Sequence, residues 1–135
     1  MKKLVLLLVL ILCFSVFAAC SKGNTKPNDD ENIESTTELK YKSFTLVVYD
    51  PDGNTEAFAV STDYETVGEI LLEKGYIDGE VSEDGLLVKT VNGITLDQAQ
   101  DGMHWAFYIN GEYAVSNVDK TPVTDGFIYE FRAEN

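Results

Sequence analysis

The stretch HWAFYINGEYA, His104–Ala114, decides how this chain is read. HWAFYI runs as a strand into Asn110-Gly111, the dipeptide best suited to a type I′ turn, and EYAV returns from it. Neighbours in a strand face opposite ways, so Trp105, Phe107 and Ile109 share one face and His104, Ala106 and Tyr108 the other. The first set is wholly apolar. It is expected to pack as core against Val67, Ile70 and Leu71 of an upstream helix. The second set is amphipathic and falls on the half-exposed side. There Tyr108 and its cross-strand neighbour Tyr113 would form a flat platform, with His104 beside them, Asn110 in the turn and Tyr76 adding to the rim. The competing reading is an ordinary surface aromatic pair worth under ~1 kcal/mol.

Working outward, SFTLVVYD alternates as a strand over Ser43–Tyr49, DPDGN turns, and TEAFAV returns over Thr55–Val60. STDYETVGEILLEKG then changes period, with Val67, Ile70 and Leu71 on one helical face. Thr66 with Glu69 forms a capping box, Thr62 with Glu65 fits equally well, and Gly75 suits the helix end. Gly68 inside the helix costs ~1 kcal/mol relative to alanine and is expected to allow close packing on the sheet. Tyr76–Asp84 reads as a polar loop. GLLVKTVNGI gives a short strand with another Asn-Gly turn, LDQAQDG a loop, and FIYEFRAE the last strand. The fold class expected is α+β: a β-grasp-like mixed sheet of about five strands with one helix packed on one face.

The N-terminus is set apart from the fold. Lys2 and Lys3 precede an uncharged apolar run, Leu4–Phe17, of 14 residues. A membrane span needs about 20. The run ends in FAAC, which resembles the lipobox of bacterial lipoproteins. That resemblance implies a signal peptide over 1–19, lipidation of Cys20 and anchoring to the outer side of a bacterial cell membrane. Ser21–Leu39 is polar and lacks aromatic residues, so 20–39 is read as a flexible tether of roughly 25 Å average span. Residues 40–135 form the one domain.

Composition removes several function classes. The formal net charge is −13, and without Lys2 and Lys3 it becomes −15. Such a chain repels phosphate backbones, so nucleic acid is not an expected partner. Cys13 lies in the apolar run and Cys20 in the lipobox, which leaves the domain no thiol for a disulfide or metal site. His104 is the single histidine, so no His cluster forms a metal site. Alone it offers a metal one neutral imidazole. DPDGN and the acids Glu83, Asp84, Asp97 and Asp101 lack calcium-loop spacing. With no Cys nucleophile and no Ser elbow, the chain is not expected to be an enzyme or to carry a cofactor.

From Thr66 onward, about seventy residues resemble the transcobalamin-like C-terminal domain of animal cobalamin carriers and bacterial surface lipoproteins. The resemblance rests on TVGEILLEKG, VNGI, HWAFYINGEYA and VTDGFIYEF. It implies a module that binds a small soluble ligand, with cobalamin or another corrinoid the first expectation and a transporter as recipient. The ligand residues expected are His104, Tyr108, Asn110, Tyr113 and Tyr76. The alternative is an interaction module that docks a surface protein or cell-wall polymer through its sheet face or edge.

Overall fold

The computed structural model describes residues 40–135. The expected signal peptide, Cys20 and the tether lie outside the described residues. β1 (Lys42–Tyr49) and β2 (Thr55–Thr62) form the first hairpin. Its turn is held by Asp50, whose carboxylate accepts the N–H groups of Asp52 and Asn54 and the side-chain amide of Asn54 at 2.8–2.9 Å. These bonds favour the charged form and hold the Asp50 carboxyl below the usual carboxylate range.

α1 (Val67–Glu73) follows, and it starts at Thr66. Thr66 and Glu69 complete the reciprocal capping box, while Thr62 is buried and accepts the Tyr64 N–H instead. At the far end Tyr76 N–H reaches Leu71 O and Gly75 N–H reaches Leu72 O, which satisfies the last carbonyls. Gly68 packs against the backbone of Asp119, 2.6 Å from where its Cβ would stand. That neighbour belongs to a 3₁₀ turn over Val118–Lys120, so the close approach is to this turn and not to the sheet.

Two segments read as loops are ordered. Ile77–Ser82 is β3, paired antiparallel with β4 (Gly85–Val91). Its sequence IDGEVS is polar because the strand is an edge exposed along most of its length, and backbone pairing needs no apolar pattern there. LDQAQDG contains α2 (Gln98–Asp101), one turn of helix capped by the Asp97 side chain on Ala99 N–H. β5 (Ile94–Thr95) follows the turn after β4. β6 (His104–Ile109) and β7 (Glu112–Tyr113) make the Asn-Gly hairpin, and β8 (Ile128–Glu134) closes the chain. EYAV therefore supplies only two strand residues.

The main sheet has five strands in the order β2-β1-β8-β6-β7, with β1 parallel to β8 and the other pairs antiparallel. A second sheet, β3-β4-β5, is not hydrogen-bonded to it but adds Ile77, Leu86 and Val91 to the same core. Phe44, Leu46, Val48, Val60, Tyr129, Phe131 and Trp105 from the main sheet share one core with Val67, Ile70 and Leu71 of α1. The expected mixed α+β architecture is what forms. Tyr129 is buried yet satisfied: its hydroxyl donates to Pro122 O at 2.9 Å and accepts Thr124 N–H at 3.0 Å.

Candidate functional site

A cleft of about 170 Å³, open to solvent, lies between β4 on one side and β6, β7 and the segment leading to the 3₁₀ turn on the other. Its buried floor is Leu86, Trp105, Val118 and Phe131, with Phe107 and Val88 half-buried above them. Leu87, Tyr113 and Ser116 are exposed at its mouth, beside Asn117. None of the twelve lining residues is Asp, Glu, Lys or Arg. In a chain of net charge −13 this makes a recess without acidic or basic side chains, lined in near-equal measure by apolar and polar surface.

The walls are fixed from both sides. Trp105 Nε1 donates to Ile94 O at 3.1 Å, which locks the indole across the floor. Asp119 Oδ1 accepts Leu86 N–H at 3.0 Å, while the Asn117 side-chain amide donates to Asp84 O at 3.0 Å. Gly85 sits between them at φ +127, and a Cβ there would stand 2.8 Å from Asn117 Nδ2 and from Asp119 Oδ1. Only glycine lets the β3–β4 turn reach the 3₁₀ segment this closely.

His104 lines the cleft, and its Nδ1 is buried without a hydrogen-bond partner, the sole such side-chain atom among the described residues. A buried polar atom left unpaired costs free energy, so this nitrogen is the polar group in the cleft most in need of a partner. Among the described residues no three His, Cys, Asp or Glu side chains gather to hold a metal ion. No helix of the described residues is long and apolar enough to cross a membrane.

The sheet face turned away from α1 carries a different constellation. Register sets Arg132 of β8 beside Ala106 of β6 and Tyr49 of β1, and Glu130 beside Tyr108 and Val47. The guanidinium lies over the Tyr108 ring at 4.0 Å and the Tyr49 ring at 5.1 Å. Its Nε and Nη2 both donate to Glu130 Oε2, the Nε at 2.9 Å. Glu130 is buried on this face, so Arg132 neutralises a charge that would otherwise be stranded. These side chains lie flat and cover the sheet that the helix leaves bare.

Tyr108 O–H donates to Glu134 Oε1 at 2.6 Å. That bond, with the carboxylate charge behind it, favours the neutral phenol and holds its pKa above the ordinary value of 10. The stabilisation is complete below about pH 10 and is lost as pH rises through the raised value. Glu134→Gln is therefore expected to move one tyrosine's ultraviolet titration to lower pH. An unchanged titration curve would show that Glu134 does not set it.

The five ligand residues read from the sequence are dispersed. His104 and Tyr113 line the cleft. Tyr108 lies under Arg132, and its ring meets Tyr113 edge-on at 88°, so the two form no flat platform. Asn110 holds the turn at φ 50 while its Oδ1 accepts Ile128 N–H at 2.9 Å. Tyr76 is half-buried against Phe58, with ring centroids 4.9 Å apart. Leu86–Val88, Ser116 and Asn117 had no motif to mark them, because they become neighbours of Trp105 only through the second sheet and the 3₁₀ turn.

A scan against protein-family models and a search of curated proteins find no match for the chain. Solved structures do match. Haptocorrin in complex with Cbi superposes with a TM-score of 0.59 at 17% identity, over 72% of this chain and 26% of haptocorrin, which shows a shared fold. The chain thus spans about a quarter of haptocorrin's length. A protein from Ruminococcus gnavus described as a "putative metal binding protein" matches with a TM-score of 0.66 and 32% identity, over 70% of this chain and 97% of the relative. At that identity over nearly the whole relative, this chain belongs to the family of the Ruminococcus gnavus protein.

Proposed function

We propose that the chain is a lipid-anchored extracellular module that holds a small soluble ligand in the cleft beside Trp105 and passes it to a transporter. A corrinoid is the ligand to test first. The observation that carries the reading is the cleft itself: an aromatic floor, no charged side chain, and one buried imidazole nitrogen awaiting a partner. The shared fold with haptocorrin, solved in complex with Cbi, supports the choice of a corrinoid. Trp105, Phe107 and Phe131 supply apolar surface, Tyr113 covers one side, and His104, Ser116 and Asn117 supply hydrogen bonds. The His104 imidazole would be the one side chain of the cleft able to bind a metal carried by the ligand.

Trp105 is the single tryptophan, so its emission reports the cleft directly. Titrating the full chain with cyanocobalamin and aquocobalamin is expected to give saturable quenching at micromolar ligand. Tyr113→Ala should weaken binding about tenfold, a loss of about 1.4 kcal/mol. A corrin band shift seen with aquocobalamin alone, and lost in His104→Ala, would put the imidazole on the metal. No signal up to millimolar ligand would remove the corrinoid.

A further inference from the structure

Three consecutive residues of β4, Leu86, Leu87 and Val88, line the cleft, and so do the neighbours His104 and Trp105 of β6. Consecutive strand residues face opposite ways, so a cleft that touches all of them runs along strand edges and not across a sheet face.

The register shows which backbone groups lie on those edges. Asn110 N–H donates to Ile128 O. Alternation along the β6–β8 ladder then turns the backbone groups of Tyr108, Ala106 and His104 toward β8, and those of Phe107 and Trp105 away from it. Phe107 O accepts Ala114 N–H at 2.9 Å, but β7 pairs only with Tyr108 and Ile109, so no strand lies opposite Trp105. In β4, Leu86 N–H points to Asp119, which puts Leu86 and, by alternation, Val88 on the side away from β3. β5 pairs only with Thr90 and Val91. The Leu86 carbonyl and the amide and carbonyl groups of Val88 and Trp105 therefore border the cleft with no strand opposite them.

Resting on the reading of this cleft as the ligand site, we infer that it captures a short, neutral peptide in extended conformation, bound as an added strand. Open edges supply the amide hydrogen bonds of such binding, and alternate side chains of the guest find the floor and the mouth. The lining fixes the chemistry: without a charged side chain it gives a charged guest no partner, and Trp105 and Phe131 favour an apolar residue facing inward. An edge of three residues, at about 3.3 Å each, spans roughly 10 Å and fits about three guest residues. The chain's own Ser21–Leu39 is a poor occupant, because it carries five acidic residues and two lysines.

The test uses Trp105 emission of the full chain with a capped tetrapeptide of alternating valine and threonine, and the same peptide N-methylated at alternate amides. Saturable quenching by the first, at least tenfold weaker for the second, supports strand addition. Val88→Pro, which removes an amide the β3 ladder does not use, should abolish peptide binding while the far-ultraviolet circular dichroism stays that of the parent chain. Equal binding of both peptides, or corrinoid quenching with no peptide binding, overturns the inference and leaves the ligand cleft standing. Silence toward peptide and corrinoid alike overturns both. Equal quenching by a synthetic Ser21–Leu39 peptide would assign the edge to the chain's own segment and overturn an external guest.

Discussion

Trp105→Ala is expected to lower stability by about 4 kcal/mol. The indole is 7% exposed and belongs to the core that joins the sheet to α1. Truncation opens a cavity at the base of the cleft and also leaves Ile94 O without its 3.1 Å donor. For a domain of this size the melting temperature should fall by roughly 15–30 °C, read by far-ultraviolet circular dichroism because the fluorophore is gone. Trp105→Phe keeps most of the apolar floor and loses only the N–H, so it should cost about 1–2 kcal/mol. A loss under about 1 kcal/mol for the alanine variant would show that the indole is not part of the core.

Gly68→Ala is the second large effect, and its sign separates two accounts of the same glycine. Judged as a helix residue alone, glycine is worse than alanine by about 1 kcal/mol, so the change should stabilise. The structure says otherwise. The added Cβ would stand 2.6 Å from Asp119 Cα and 2.8 Å from Asp119 N, and backbone cannot swing aside as a side-chain tip does. Overpacking of this kind costs about 1–3 kcal/mol, and the 3₁₀ turn must shift to relieve it. That turn holds Leu86 N–H through Asp119 and follows directly on Asn117, so the cleft wall moves with it. Ligand affinity should fall about tenfold although Gly68 does not line the cleft. Urea unfolding of the variant decides the matter, and a stabilised protein would refute the contact.

Much of this was readable from residue order. Period two in SFTLVVYD and HWAFYI, period 3.6 in VGEILLE, the Thr66–Glu69 box and the two Asn-Gly turns report local conformation. The elements they specify form close to where they were placed. β3 was not readable, because IDGEVS is an exposed edge held by backbone bonds to β4 and carries no hydrophobic alternation. Nor was α2, a single turn too short to show a period.

The site divides in the same way. Sequence alone determined that His104 and Trp105 lie on opposite faces of one strand and that Tyr108 stands across from Tyr113. Those relations follow from the pleat and a two-residue turn. Only the tertiary structure decided that β7 stops after two residues and that the 3₁₀ turn clamps the β3–β4 turn, which leaves a cleft between two strand edges. It also decided that Tyr108 spends its ring on Arg132 and its hydroxyl on Glu134. Those facts depend on pairing between strands more than twenty residues apart, and no local pattern encodes which long-range partner a strand edge will lack.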